Sequence, residues 1–406
     1  MRLYLDYAAS TPVDPRVERV MRPYFLKHFG NPGSLHGFGQ EAIAAVDASR
    51  EALGKLIGAK NFREIIFTGG ATEANNLALR GAVEFYKKNH PGAEQLRIVI
   101  SSVEHESILE TARALEQRCG VEVIKLPVNK EGVIDIVALK EALNDRTVVV
   151  SIMHVNNEVG TVQPLREIKF MIDAFRKTAA HPEYPLFHTD AAQSFPYLYC
   201  DVELLGVDMM TLSSHKMYGP KGVGALYVRQ NDAAFSASGS GNGTGGDFPL
   251  VAQTTGGGQE FGVRSGTENV PGIVGFAKAA QLVADVRGKT ATRVTMLRDE
   301  LWKRIKSVVP EAEINGPMGD AKAPHILNVY FPGHAAQDLL TRFDRAGLAA
   351  SSGSACRARA AESSHVIEAL SYSKERAASS IRFSLGKDTT KRQVAAAAKI
   401  IGKALR

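Results

Sequence analysis

Ser213-Ser-His-Lys-Met-Tyr-Gly-Pro220 is the segment from which the architecture and chemistry of this chain are best worked out. An apolar run, Val207–Leu212, precedes it, and a second run, Gly222–Val228, follows it, so both flanks are predicted strands. A lysine at a tight corner closed by Gly and Pro cannot easily reach bulk water, and partial desolvation lowers the pKa of its amine. Lys216 is therefore a candidate for Schiff-base chemistry, although most lysines are simply exposed on a surface.

Outward from this segment, strand-like and helical patterns alternate. The predicted strands are Ile65–Thr68, Arg97–Ser101, Val121–Leu126, Thr147–Met153, Leu186–Thr189, Asp208–Leu212 and Val223–Val228. The predicted helices between them include Glu73–Tyr86, Ser107–Arg118, Ile136–Leu143 and Leu165–Lys177. Short apolar strands separated by helices indicate an α/β fold with a mostly parallel sheet covered on both faces.

Beyond about Gly275 the pattern changes to a smaller α+β domain. Its predicted elements are a helix at Leu297–Val308, strands at Ile326–Phe331, Leu348–Ser351 and Ser380–Leu385, and helices at Gln337–Ala346 and Lys391–Leu405. Before it, the Gly/Ser-rich stretch Ser236–Gly246 is predicted to be a flexible surface insertion. Its G-x-G-x-x-G spacing is not interpreted as a dinucleotide site, because no strand precedes it and no helix follows it.

Composition excludes several classes of protein. The 406 residues are 44% hydrophobic and 23% charged, and the net charge of +6 is spread along the chain, whereas nucleic-acid binding favours a clustered basic stripe. We therefore predict no nucleic-acid partner. The three cysteines have no metal-ligand spacing, which predicts no metal and indicates a reducing compartment. No secretory h-region and no 18-residue uncharged apolar window is found, so a cytoplasmic protein without a membrane span is expected.

Polar residues follow several of the predicted strands. Thr68-Gly-Gly-Ala-Thr-Glu73 joins a strand to a helix and is either a phosphate cradle or an ordinary turn. Asp190 ends a strand, where it either pairs with a cation or caps a helix. His105 and Asn156 follow two further strands. Ligands bind at the carboxyl ends of strands in open α/β sheets, and together with Lys216 this set matches the phosphate, ring nitrogen, phenolic oxygen and aldehyde of pyridoxal phosphate.

Two residues of the smaller domain complete the candidate site. Cys356 lies in a segment, Ala349–Ser364, that has no large apolar side chain and is predicted to be mobile. Arg357 and Arg359 beside it would favour the thiolate, so a reactive, carried thiol is predicted, with an incidental free cysteine as the alternative. Arg382 lies in an otherwise apolar strand, where it either binds a substrate carboxylate or forms a structural ion pair.

With these motifs, the chain resembles the cysteine desulfurases, pyridoxal-phosphate enzymes of the class V aminotransferase group on the fold-type I scaffold. The resemblance extends over nearly the whole chain, through the motifs Leu5-Asp-Tyr-Ala-Ala-Ser-Thr-Pro12, Gly30-Asn-Pro-Gly-Ser34, His154-Val-Asn-Asn-Glu-Val-Gly160, Ser214-His-Lys-Met-Tyr-Gly-Pro-Lys-Gly222, Arg264-Ser-Gly-Thr-Glu-Asn269 and Ile381-Arg-Phe-Ser-Leu-Gly386. It implies a homodimer. It also implies a large domain at residues 13–286 and a small domain at 287–406, which residues 1–12 join.

The resemblance also implies a role for each candidate residue. Lys216 would bond the cofactor aldehyde, Asp190 would hold the proton on the ring nitrogen, and Gln193 would face the phenolic oxygen. His105 would stack on the ring and, as a catalytic residue, assist proton transfer. Phosphate would be held by Thr72, Ser213 and His215, with Thr267 from the neighbouring subunit, and Ala71 would also bind the cofactor. Asn156, also assigned to the cofactor, and Arg382 would hold the substrate carboxylate. Cys356 would take the sulfur.

The expected reaction converts L-cysteine to L-alanine and leaves a persulfide on Cys356, which passes to a sulfur-acceptor protein for iron–sulfur cluster or thio-cofactor biosynthesis. Selenocysteine lyase is an alternative, because the segments Ala179-Ala-His-Pro-Glu-Tyr-Pro-Leu186 and Gly256-Gly-Gly-Gln-Glu260 are similar to insertions of those enzymes. Another aminotransferase or lyase, which would not use Cys356, and a catalytically silent docking protein on the same fold also stay open. Ser214 departs from the family, in which a glycine is more usual.

Overall fold

A computed structural model describes residues 2–230, 248–353 and 363–405. Cys356, Arg357 and Arg359, together with the predicted insertion Ser236–Gly246, lie outside the described residues.

Seven of the described strands form one sheet in the order β2-β8-β7-β6-β5-β3-β4, in which β8 alone runs against its neighbours. This confirms the predicted mostly parallel sheet. The strands are β1 Leu3–Tyr4, β2 Ile65–Thr68, β3 Arg97–Ser101, β4 Glu122–Leu126, β5 Thr147–Ser151, β6 Leu186–Asp190, β7 Met209–Ser213, β8 Gly224–Val228, β9 Glu313–Asn315, β10 Ile326–Tyr330, β11 Leu348–Ala349 and β12 Ser380–Ser384.

Helices cover both faces of this sheet. They are α1 Pro15–Met21, α2 Pro23–Leu26, α3 Gly37–Ile57, α4 Ala71–Asn89, α5 Glu106–Cys119, α6 Ile136–Ala142, α7 Leu165–Arg176, α8 Val202–Leu205, α9 Val270–Val308, α10 Ala336–Arg345, α11 His365–Ala369, α12 Lys374–Ala378 and α13 Lys391–Ala404. Most predicted elements are present, and their ends differ from the predictions by a few residues.

Alternate strand residues enter two separate cores. On β8, Ala225 and Tyr227 belong to one buried cluster, and Leu226 and Val228 belong to the other. Helices α3, α7 and α9 pack on the first face, whereas α4 and α5 pack on the second. Successive side chains of a strand point to opposite faces, so a strand between two helical layers needs apolar residues at nearly every position. This explains the continuous apolar runs of the sequence.

The last third of the chain builds two smaller sheets. The antiparallel sheet has the order β12-β10-β9, and β11 pairs in parallel with the N-terminal strand β1. The predicted helix Leu297–Val308 is wrong at its start, because α9 already begins at Val270. Glycines in the first part of α9 weaken its helical sequence pattern, so the prediction missed that part. One of them, Gly275, allows close packing, since an added Cβ would lie 2.6 Å from the sulfur of Met21.

The predicted domain boundary at Val286 falls inside α9, which is continuous across it. The division into residues 13–286 and 287–406, with residues 1–12 joined to the second part, therefore stays a prediction. Among the described residues, none of the helices combines the length and apolar character that a bilayer crossing requires.

Candidate active site

A cavity of about 900 Å³ opens at the carboxyl ends of the parallel strands, where the sequence places the candidate residues. Nine of those residues line it, namely Ala71, Thr72, His105, Asp190, Gln193, Ser213, His215, Lys216 and Arg382. Segments that are far apart in sequence thus meet in one crevice.

Lys216 ends a short 3-10 helix that directly follows β7. Its Nζ donates hydrogen bonds to the carbonyl oxygens of Ala8 and Ala9, the latter at 2.9 Å. Thr11 fixes the same corner, because its hydroxyl donates to the His215 carbonyl at 3.0 Å and accepts from the Tyr218 N–H at 2.8 Å. The N-terminal segment thereby orients the lysine toward the cavity.

Asp190 is 7% exposed and makes two different hydrogen bonds. Oδ1 accepts from the Ala192 N–H at 2.9 Å, in a turn rather than at the start of a helix, and Oδ2 accepts from the Asn75 amide at 2.8 Å. The Asn75 amide also donates to Ser107 Oγ at 2.8 Å, and that hydroxyl lies 2.8 Å from His105 Nδ1. Carboxylate and imidazole are therefore connected through Asn75 and Ser107.

The electrostatics of the site favour neutral imidazoles. Burial lowers the pKa of His105, and the nearby Lys216 adds to this, whereas Asp190 acts in the opposite direction. Burial, with further contributions from Lys216 and Lys221, lowers the pKa of His215 to about 4. At neutral pH both rings are therefore uncharged.

The start of α4 fits a phosphate group. Helix α4 follows Gly70, whose φ of +149° favours glycine, and its first N–H groups have no acceptor within the helix. Ser213 also lines the cavity, and its buried hydroxyl has no hydrogen-bond partner among the described residues. A buried donor without a partner costs about 1–3 kcal/mol, and a phosphate oxygen would relieve this. Lys221 also lines the cavity and adds positive charge.

Arg382, on β12, supports both interpretations of its sequence position. The residue is 2% exposed, and its guanidinium donates to Asp6 Oδ1 and to the Asn157 carbonyl, both at 2.8 Å. It also lines the cavity, and its Nε has no partner among the described residues. Arg382 therefore forms an ion pair with Asp6 and also lines the crevice.

Gln193 is held in place within the cavity wall. Its Nε2 donates to the Ala8 carbonyl at 2.9 Å, and its Oε1 lies 3.1 Å from His325 Nε2. Burial lowers the pKa of His325 to about 3, so this ring is neutral and donates to the amide oxygen. His325 itself stacks on Tyr197, with ring centroids 4.1 Å apart.

Three predicted residues are not brought to this cavity. Asn156 is fully buried away from its wall, and its carboxamide donates to the Val103 carbonyl and accepts from the N–H groups of Glu158 and Val159, each at 2.9 Å. Its neighbour Asn157 lines the cavity instead. Thr267 is exposed and not part of the wall of this chain, and Cys356 lies outside the described residues. Their roles stay predictions.

Two of the cysteines are described, and they differ. Cys200 is buried, and burial raises the pKa of its thiol to about 11, as expected of an incidental cysteine. Cys119, at the end of α5, is exposed.

Sequence reasoning missed Asn75, although a signal was present. Asn75 follows Thr72 by three residues on α4, and residues at this spacing share a helix face. The carbonyls of Ala8 and Ala9 left no such signal, because any residue supplies a backbone oxygen.

Comparison with known proteins agrees with this geometry. The family model described as "Aminotransferase class-V" matches residues 3–396. A protein named cysteine desulfurase IscS, from Anaeromyxobacter dehalogenans, is 42% identical over 100% of this chain and 92% of its own length.

Solved structures give the same result. A NifS-like protein superposes with a TM-score of 0.86 at 33% identity and covers 99% of both chains. A structure titled SspA in complex with cysteine has a TM-score of 0.76 at 34% identity and covers 96% of this chain and all of its own. The chain belongs to the class-V aminotransferase family, among its cysteine desulfurases.

Proposed function

We propose that this chain is a cysteine desulfurase that uses pyridoxal 5′-phosphate to convert L-cysteine to L-alanine and carries the sulfur as a persulfide on Cys356. The observation that carries the proposal is the convergence of Lys216, Asp190 and the unpartnered Ser213 hydroxyl on one cavity, in a chain closely similar to named desulfurases.

The residues present fit the cofactor. Ser213, the first turn of α4 and Lys221 suit its phosphate, Asp190 suits a protonated ring nitrogen, and Lys216 suits its aldehyde. When bound, the cofactor supplies an electron sink that acidifies the Cα proton of an amino acid and lets its C–S bond break.

The protein side chains divide the remaining work. Asp190, oriented by Asn75, stabilises the positive charge on the ring nitrogen. The amine of Lys216, held at the Ala8 and Ala9 carbonyls, removes and returns the Cα proton. Arg382, fixed by Asp6, binds the substrate carboxylate.

The sulfur transfer balances without an external oxidant. The Cys356 thiolate attacks the substrate sulfur, so that an S–S bond forms while the C–S bond breaks and its electron pair stays with the carbon. Protonation of that carbon gives alanine, and the enzyme retains Cys–S–SH. The persulfide then passes to a sulfur-acceptor protein for iron–sulfur cluster or thio-cofactor biosynthesis, in a reducing compartment that we propose to be the cytoplasm.

A homodimer is part of the proposal. Large apolar side chains are exposed along the segment from α2 to the first turn of α3, at Phe25, Leu26, Phe29, Leu35 and Phe38. Contiguous exposed apolar surface favours a protein partner. We propose that a second copy covers this surface and brings Thr267 to the phosphate end of the neighbouring cavity.

Parallel assays of L-cysteine and L-selenocysteine with a thiol reductant test the function. We expect alanine and sulfide in equal amounts from L-cysteine. Turnover of L-selenocysteine alone would instead establish the selenocysteine lyase, and transamination without sulfide would establish an ordinary aminotransferase. Absence of any cofactor absorbance would leave only the docking protein.

A further inference from the structure

A second cluster, of side chains that can bind a metal ion, does not line the cavity. His90 directly follows the last residue of α4, and His181 and Glu183 lie in the segment between α7 and β6. One ligand atom from each of the three lies within 4.8 Å of the other two, and all three side chains are half-buried. Neither the cofactor nor the proposed reaction uses them.

The chemistry of this donor set suits a zinc ion. Two imidazole nitrogens and one carboxylate oxygen form a common Zn²⁺ ligand set, with a water in the fourth position. Tetrahedral bonds of about 2.0–2.1 Å place ligand atoms about 3.3 Å apart. A movement of roughly 1 Å by half-buried side chains would therefore close the site around an ion. Oxygen-preferring Mg²⁺ and Ca²⁺ fit these ligands poorly.

One hydrogen bond of His90 leaves its other ring nitrogen able to bind a metal. Its Nδ1 lies 3.0 Å from the Tyr86 carbonyl oxygen, to which it can only donate, so Nε2 carries the free lone pair. Such a second hydrogen bond is the usual partner of a ligating histidine. The ring also stacks on Tyr86 at 4.1 Å between centroids, and the His181 ring lies edge-on at 4.4 Å.

We propose that His90, His181 and Glu183 bind Zn²⁺, and that the ion ties the end of α4 to the segment that leads into β6. These two elements carry the phosphate end and Asp190 at their opposite ends. The ion would stabilise the scaffold of the crevice without taking part in the reaction. The competing explanation is an aromatic packing cluster of these histidines with Tyr86 and Tyr184 that binds no ion.

Calorimetric titration of the metal-stripped holoenzyme with Zn²⁺ tests the site. Because thiolates also bind zinc, every protein carries Cys119→Ser and Cys356→Ser. We expect one tight site per chain, bound at least about tenfold more weakly after His181→Ala. His334→Ala, which removes another half-buried histidine, is the control and should bind as the parent does. Equal affinity in the His181→Ala protein, or no binding in the parent, would overturn the proposal.

A thermal measurement separates metal binding from packing. Zn²⁺ should raise the Tm of the parent and of the His334→Ala control, whereas Mg²⁺ should not, because only the native state presents the site. Glu183→Gln keeps the side-chain size and should abolish the Zn²⁺-dependent rise even if His181→Ala fails to fold. A rise in the Glu183→Gln protein equal to that of the parent would contradict the ligand set.

Discussion

Helix α4 and strand β6 carry polar clusters at both of their ends, and the two clusters are built differently. At the crevice end, Asn75 bonds to Asp190 and to Ser107, Asp190 also accepts from a backbone N–H, and these side chains are buried. At the other end, roughly 22 Å along the helix from Asn75, His90 meets His181 and Glu183, which are half-buried among aromatic rings. One end is arranged to react with an amino acid, and the other end is arranged to hold the scaffold.

Because of this difference, substitutions at the two ends should affect different measurements. Changes at the crevice should alter turnover and leave Zn²⁺ affinity intact, whereas changes at the His90 cluster should do the reverse, since distant sites contribute independently. The variants at the two ends test that separation, and Glu104→Gln tests a buried carboxyl group.

Lys216→Ala should have the largest effect. Loss of both the covalent attachment and the proton transfer should lower turnover of L-cysteine by at least about 10³-fold. Borohydride reduction and peptide mapping of the parent should locate the cofactor on Lys216. Lys221→Ala, which changes the other lysine of the cavity wall, should keep the label, and a label found on Lys221 would refute the assignment.

Asp190→Ala should come next, with a loss of turnover on the order of 10²–10³-fold, because the ring nitrogen loses its charge partner. Borohydride should still fix the cofactor to Lys216. The effect of Asp190 on the charge of the ring nitrogen can therefore be separated from cofactor attachment. Wild-type turnover in this variant would contradict the role of Asp190, and altered Zn²⁺ affinity would contradict the independence of the two ends.

Asn75→Ala should lower turnover roughly tenfold, since Asn75 acts through Asp190 and, by way of Ser107, through His105. As a positioning residue it should shift the pH dependence of turnover and of the cofactor absorbance, which a merely structural residue would not do. Asn89→Ala is a matched control on the same helix, because Asn89 is exposed and donates to the Phe85 carbonyl at 2.9 Å, away from the crevice. An unchanged pH profile in Asn75→Ala would remove Asn75 from the site.

Glu104→Gln should alter stability rather than turnover. Burial raises the pKa of Glu104 to about 8, above its ordinary value of 4.5. Between these two values only the folded chain keeps the proton, so wild-type stability falls as the pH rises through this window. The variant has no such proton. Its Tm relative to wild type should rise by about 3 °C or more between pH 5 and pH 8, and a constant difference would contradict a buried neutral Glu104.

His181→Ala should have the smallest effect on chemistry. Turnover of L-cysteine should stay within about twofold of wild type, because the cluster touches none of the reacting groups. A loss comparable to that of Asn75→Ala would mean that the two ends of α4 are coupled.

The two ends also differ in how far sequence reasoning reaches them. The crevice was predictable because each of its strands ends in a short polar motif, and strand ends of a parallel sheet meet at one edge. Lys216, Asp190 and Thr72 were located in this way. The fold followed from the apolar runs that a doubly covered sheet requires.

The rest depends on contacts between distant segments. Three strands of the large sheet, β3, β4 and β5, separate His90 from His181 in sequence, so no ligand spacing connects them. The prediction of no metal considered only the cysteines. The family resemblance assigned Asn156 to the cofactor and the substrate carboxylate, yet local backbone groups take up its carboxamide. The geometry of the turn after β5 decides whether Asn156 or Asn157 faces the cavity. That geometry cannot be read from the types of residue in the segment.

The most direct test of the account is a single-turnover reaction with L-cysteine, followed by alkylation, digestion and mass measurement of the cysteine peptides. Wild type should carry one added sulfur atom on Cys356 and release an equal amount of alanine, whereas Cys356→Ser should do neither. Alanine formed by Cys356→Ser at the wild-type rate, or the added sulfur found on Cys119 instead, would contradict the proposed transfer.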